Sequence, residues 1–218
     1  MIKKDHITLL LILIFFSGIF LRLYNINFDN LWYDEIISFW VSSPEHSFAE
    51  SFKIHQEIEI APYTFNLFLK IYFHLVGYDV DNGRYITALF SILTIFTTLF
   101  ISKKLIENNF YLLPIFLVAF NIFLISYSQE LRVYSILIFF GSLSLLFFIK
   151  LLDTKTKNFD ASCFFISLLI FSLLHLFSLF LISSFILYLL LIYIKKKKSY
   201  YLLNLTLSII SLISIFYY

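Results

Sequence analysis

The chain has 218 residues, of which 61% are hydrophobic and only 14% charged, with a net charge of +2. A soluble domain averages about 45–50% apolar and about 25% charged, so a single water-soluble core could not hide this much apolar surface. Four Gly, three Pro and one Cys exclude collagen-like, disordered and disulfide-stapled classes, and the small net charge gives no footprint for nucleic acid. An all-α polytopic membrane protein remains.

Taken in chain order, the apolar runs predict about seven transmembrane helices. The first is Ile7 to Leu23, preceded by Lys3 and Lys4 and lacking a small-residue cleavage site, hence an uncleaved span. Residues 25–83 follow as a long first outer loop. Within it, Pro44 to Glu59 reads as a surface helix, with Phe48 and Phe52 at helical spacing among charges. Tyr63 to Val76 is apolar but short and carries Lys70 and His74, so it reads as an interfacial helix rather than a span. The remaining spans are Ile86 to Ile101, Tyr111 to Ser126, Val133 to Leu152, Ser162 to Leu174, Ser178 to Ile194, and Leu202 to Tyr218.

The charges orient this layout. With a cytosolic N-terminus, Lys3, Lys4, Lys103, Lys104, Lys150, Lys155, Lys157 and Lys195 to Lys198 all fall inside, as the positive-inside rule requires. Most acids fall outside. The Lys195 to Lys198 run reads as a topology anchor, with anionic lipid head groups as its other reading.

The polar chemistry gathers in two outer segments. Leu31-Trp32-Tyr33-Asp34-Glu35 sets two adjacent carboxylates among aromatic residues just beyond a span. Either carboxylate could act as a general base toward an acceptor hydroxyl, or both could be solvated acids in an aromatic interface belt. Ser126-Tyr127-Ser128-Gln129-Glu130-Leu131-Arg132-Val133-Tyr134 brings a carboxylate, a guanidinium and several hydroxyls to the same side. The planar fork of Arg132 suits a phosphate oxygen pair; the alternative is an Arg132–Glu130 ion pair that ends a helix. On a helix, Glu130 and Tyr134 would share one face. His175 lies at the turn between the fifth and sixth spans, and Cys163 reads as an apolar filler. The His, Cys and acidic residues show no metal-ligand spacing.

These segments, in their order along the chain, resemble one family. Leu31 to Glu35, Asp81-Asn82-Gly83-Arg84-Tyr85, Tyr127 to Tyr134 and His175-Leu176-Phe177-Ser178 are similar to motifs of the polyprenyl-phosphate-sugar-dependent glycosyltransferases of the C superfamily. Protein O-mannosyltransferases and aminoarabinose transferases belong to that group. The resemblance covers nearly the whole chain and implies one C-type transmembrane domain over residues 1–218. It implies Asp34 as catalytic carboxylate, assisted by Glu35. It places Arg84, Glu130, Arg132, Tyr134 and His175 around the donor phosphate and sugar.

The implied partners are a polyprenyl-phosphate-linked sugar, an acceptor glycan, lipid or protein, and membrane lipids. The implied place is a bacterial inner membrane, with the active site on its outer face. No cofactor is implied, and the resemblance leaves dependence on a divalent metal open. One stretch departs from the family pattern: a His-Pro-Pro-Leu-Tyr-like segment is here Ile60-Ala61-Pro62-Tyr63. The chain stops at Phe216-Tyr217-Tyr218 inside an apolar run, whereas relatives have more spans, so a truncated protein or a fragment is the expectation. The reading from a different class is a non-catalytic lipid-linked-sugar transporter or polysaccharide-assembly component.

Overall fold

A computed structural model describes residues 4–153, 158–196 and 199–214, and all regular structure among them is helical. Lys3, Lys155, Lys157, Lys197, Lys198 and Phe216 to Tyr218 lie outside the described residues. The helices are α1 (Lys4–Leu23), α2 (Tyr33–Val41), α3 (Phe48–Ile58), α4 (Thr64–Val76), α5 (Val80–Leu105), α6 (Leu112–Phe120), α7 (Ile122–Ser128), α8 (Tyr134–Leu151), α9 (Asn158–Leu174), α10 (Ser178–Lys196) and α11 (Ser199–Ser214). A 3-10 turn, Asn108–Tyr111, precedes α6.

Four helices are long and apolar enough to cross a bilayer: α1, α5, α8 and α10. The bent pair α6–α7, with its preceding turn, makes a fifth if counted as one span. α4, α9 and α11 are apolar but shorter.

The chain forms two compact units. The first holds the residues up to Glu59 and Phe65–Phe139; the second holds Ile60–Thr64 and the chain from Phe140 onward. In the second unit, α8, α9 and α10 meet through Phe148, Phe164 and Phe185, whose ring centroids are 4.4 to 5.7 Å apart. Ser144 donates to Ser167 across α8 and α9 at 3.2 Å.

In the first unit, α1, α5 and α6 share a core of Ile14, Ile95, Ile115 and Ala119. Gly18 permits this approach, since a Cβ there would meet Ile95 Cδ1 at 3.0 Å and Ala119 Cβ at 3.1 Å. Small residues let membrane helices close on one another in this way.

The expected third span is instead two helices bent by 50°. Asn121 breaks it: its backbone is extended (ψ 120) and its side chain caps α7 by accepting from Leu124 N at 3.0 Å. A break strips the preceding carbonyls of their helical partners, which is costly where lipid offers no donor. Arg22, fully buried on α1, supplies donors to the carbonyls of Val118 and Ala119 at 2.9 Å each, and also to Gly18 O and Ser91 Oγ.

Residues 25–83 are far more ordered than a loop. α2 was not anticipated. Its first turn holds Asp34 and Glu35, acids favoured by the helix dipole, and Glu35 reaches back to accept from Trp32 N at 3.4 Å. α3 falls inside the expected surface helix and opens on a Ser47/Glu50 capping box, Glu50 N on Ser47 Oγ at 3.2 Å and Ser47 N on Glu50 Oε2 at 2.7 Å. α4 matches the expected short helix and buries Phe65, Leu69 and Phe73. Lys70, also buried, donates to the carbonyls of Ser43 and His46 and so ties α4 to the α2–α3 connection.

Gly77, with φ +103, ends α4 in a conformation that glycine adopts without strain. α5 begins at Val80, six residues before the expected Ile86. Asp79 caps it by accepting from Asp81 N, and Arg84 is thereby inside a helix.

Candidate functional site

The adjacent acids Asp34 and Glu35 occupy different environments on α2. Glu35 faces inward and is 1% exposed, while Asp34 is 35% exposed at its side chain. The Glu35 carboxylate receives Arg84 Nε on Oε1 at 3.1 Å and Arg84 Nη2 on Oε2 at 2.9 Å, a fork-on-fork pair. Its Oε1 also accepts from Leu131 N at 2.6 Å.

Arg84 spends Nη1 on the carbonyls of Ile26 (3.2 Å) and Asp29 (2.8 Å). Four of its five N–H groups are therefore taken. This pair clamps the start of α5 to α2, to the 25–32 connection and to the 129–133 bend. Arg84 is thereby a positioning group and has at most one donor to spare.

Gly83 sets how closely the bend approaches α5. A Cβ there would meet Leu131 Cδ1 at 2.5 Å and Phe73 Cζ at 3.1 Å. Leu131 is fully buried, so its side chain can yield only by displacing its own neighbours. Gly83→Val is expected to lose about 1–3 kcal/mol by overpacking. A thermal melt in detergent would register that as a drop of roughly 2–10 °C; a wild-type melt would contradict the close-approach account.

Residues 129–133 form a bend and not a helix, so the i, i+4 relation expected for Glu130 and Tyr134 does not operate. The Tyr134 ring lies 4.8 Å from Tyr127. Gln129 caps α1, its Nε2 donating to Tyr24 O at 2.9 Å and Leu21 O at 3.2 Å.

Arg132 does not rest on Glu130. Its Nη1 donates to Glu59 Oε1 (2.8 Å), Ser38 Oγ (3.0 Å) and Asp34 O (3.1 Å), and Nη2 lies 3.7 Å from Asp34 Oδ2. Its Nε is buried with no hydrogen-bond partner among the described residues. Burial opposes the charge of Arg132, but the Glu59 hydrogen bond and the Glu59 and Asp34 charges outweigh it and hold the guanidinium above its ordinary value.

Glu59 was not singled out from the sequence. It ends α3, and its other oxygen lies 3.6 Å from His55 Nδ1. That nitrogen also meets Asn66 Nδ2 at 3.0 Å. A lone acid at a helix end carries no sequence signal for such a role.

Glu130 accepts from Ser126 Oγ at 3.2 Å. Burial pushes its carboxyl above the usual range, the Ser126 bond opposes that, and the Glu35 charge adds to it. A carboxyl raised in this way binds its proton more tightly in the folded state. Its ionised form therefore opposes folding, and the penalty appears as pH rises through the folded value. Glu130→Gln is expected to raise the melting temperature by about 1–2 °C at neutral pH, a small figure because the group is half-exposed. The difference should vanish below about pH 4, where position 130 is neutral in both proteins. An equal gain at low pH would contradict it.

Beside the Glu35–Arg84 pair lies a polar cavity of about 320 Å3, walled also by Asn25, Asp29, Asn30, Trp32, Gln129 and Glu130. The first unit thus holds Asp34, Glu35, Arg84, Glu130, Arg132 and Tyr134. His175 belongs to the second unit, at the α9–α10 turn, where its Nδ1 accepts from Phe177 N at 3.1 Å. Among the described residues, no three His, Cys, Asp or Glu side chains converge as metal ligands. No protein-family model matches the chain, and no curated protein matches it.

Proposed function

We propose that the protein is a membrane glycosyltransferase of the C superfamily type, moving a sugar from a polyprenyl-phosphate donor to an acceptor hydroxyl. The observation that carries the reading is the state of Arg132. A buried guanidinium with an unused Nε–H, held beside a half-exposed carboxylate, costs about 1–3 kcal/mol for the unmet donor. A phosphate oxygen pair would satisfy Nε and Nη2 together once the contacts that close Nε off from solvent open to admit it.

In the proposed reaction Asp34 takes the proton of the acceptor hydroxyl. The acceptor oxygen bonds to the anomeric carbon as its bond to the phosphate oxygen breaks, with inversion. The polyprenyl phosphate leaves with the electron pair, stabilised by Arg132. Glu35 and Arg84 hold the frame, Glu130 and Tyr134 flank it, and His175 is carried over from the resemblance alone.

The proposal includes a seven-span layout in which α9 and α11 also cross. It places the N-terminus in the cytosol and the site at the outer face of a bacterial inner membrane, as the lysine distribution supports.

The transporter reading draws on the broken α6–α7 helix, since carriers often build their pathway from such breaks. Here the break is sealed: Arg22 fills it, and the gap lined by Arg22, Ser91 and Leu124 has a volume of about 0 Å3 for a water-sized molecule. Transfer of labelled sugar from a polyprenyl-phosphate donor, measured in membranes containing the protein, tests the proposal. Movement of the lipid-linked sugar across the membrane without transfer would replace it with the transporter reading.

A further inference from the structure

Two hollows lie by the C-terminal end of α1, one on each side of the Tyr24–Asn25 peptide. One is the polar cavity of about 320 Å3. The other is an apolar groove of about 350 Å3 along α1 itself, lined by Phe16, Ile19, Phe20, Leu23 and Tyr24. Tyr24 ends the groove, and the next residue, Asn25, begins the cavity wall. Asn25 has φ 53, a left-handed turn that asparagine tolerates, and there the chain leaves the helix for the cavity. Phe16, Phe20 and Tyr24 are all more than half exposed. An apolar trough and a polar chamber whose walls are joined by the Tyr24–Asn25 peptide match the two ends of an amphiphile.

The cavity chemistry disfavours an anionic headgroup. Its wall has three carboxylates, Asp29, Glu35 and Glu130, against one guanidinium, Arg84, which Glu35 already neutralises. An anionic headgroup would face uncompensated like charge, which costs several kcal/mol. A donor phosphate at Arg132, outside this wall, would in turn have to displace Glu59 or Asp34 from the guanidinium. What the wall does offer is neutral hydrogen bonding from Asn25, Asn30, Ser126 and the Gln129 carbonyl, carboxylates that accept from hydroxyls, and the half-exposed ring of Trp32. Carboxamides, carboxylates and one aromatic face suit a hydroxyl-rich ring. The volume lies at the low end of ligand sites, about 300–1,000 Å3, sufficient for a single sugar unit.

We propose that this groove and cavity bind a neutral glycolipid, its hydrocarbon chain along α1 and its sugar head among Asn25, Asn30 and Trp32. As the acceptor of the reaction, this ligand rests on the glycosyltransferase reading; as a binding site it does not.

The test uses the full chain in nanodiscs and three lipids with the same diazirine-bearing acyl chain: a hexosyl diacylglycerol, a phosphatidylglycerol and a trimethylammonium diacyl lipid. After photolysis, cross-links are mapped to peptides. The hexosyl lipid should label residues 16–24 at least about tenfold more than the phosphatidylglycerol, and clearly more than the cationic lipid. Asn30→Trp, at an exposed position of the wall, should fill the cavity and bring the three to parity, while Asn27→Trp, exposed but outside the wall, should keep the preference.

Equal labelling by all three lipids would reduce the groove to annular lipid and overturn the proposal. So would a cationic lipid that matches the hexosyl one, or a preference that survives Asn30→Trp. A free methyl hexoside that competes as fully as the glycolipid at equal concentration would remove the lipid-anchored ligand. Sugar transfer is measured separately: labelling preference without transfer removes the glycosyltransferase reading and leaves the site, and transfer without preference does the reverse.

Discussion

Asp34→Asn is expected to lower sugar transfer from a polyprenyl-phosphate donor by about 10²–10⁴-fold, the range of a removed general base. The substitution keeps the shape of the side chain and removes only its basicity. Asp34 makes few structural commitments through its carboxylate: its backbone carbonyl accepts from Ser38 Oγ and Arg132 Nη1, and Oδ2 lies 3.7 Å from Arg132 Nη2. The fold should therefore survive, with the melting temperature within about 2 °C of wild type, because the 3.7 Å contact is long and the buried guanidinium keeps Glu59 as its closer partner. Transfer at the wild-type rate would remove Asp34 as the base.

Glu35→Gln should do the opposite. Glu35 sits in the wall with a buried guanidinium and two backbone N–H groups on its oxygens. Removing its charge strands Arg84, and breaking a buried pair in this way costs about 3–5 kcal/mol. For a chain of this size the melting temperature should fall by about 6–20 °C. Arg84→Met should fall as far, because it strands the carboxylate instead.

The double replacement Glu35→Met with Arg84→Met should recover part of the loss, since an apolar pair of similar volume has no charge to strand. Recovery should be incomplete, because Ile26 O, Asp29 O and Leu131 N all lose a partner. Thermal unfolding of the three variants in detergent would show this order. Strict additivity of the two single losses would mean that the residues do not act as a pair.

Each kind of residue was legible in the sequence to a different degree. Long apolar runs announced α1, α5, α8 and α10 because a bilayer demands length and composition and little else. Short capped helices in the 25–83 segment were half visible: the Ser47/Glu50 box and the Phe48–Phe52 spacing mark α3. The nine residues of α2, by contrast, lie in the segment that reads as an outer loop, because so short a stretch gives little periodicity and its inner face is defined only by the burial of Ile37, Ser38 and Val41. The bend at Asn121 was hidden by an unbroken apolar run, since Arg22, nearly a hundred positions away, stabilises it.

The site divides in the same way. The residue types and their grouping at one end of the spans followed from where charges can sit in a membrane protein. Hydropathy and lysine asymmetry follow from composition, and composition is local. What each charge does was decided only by tertiary structure. Asp34 and Glu35 are neighbours with equal chemistry on paper. A turn of α2 sends one toward Arg84 and Leu131 and leaves the other half-exposed beside Arg132. Glu59 reaches Arg132 across 73 positions. Ion pairing depends on distances of a few ångströms between segments remote in the chain, and no local pattern encodes those distances.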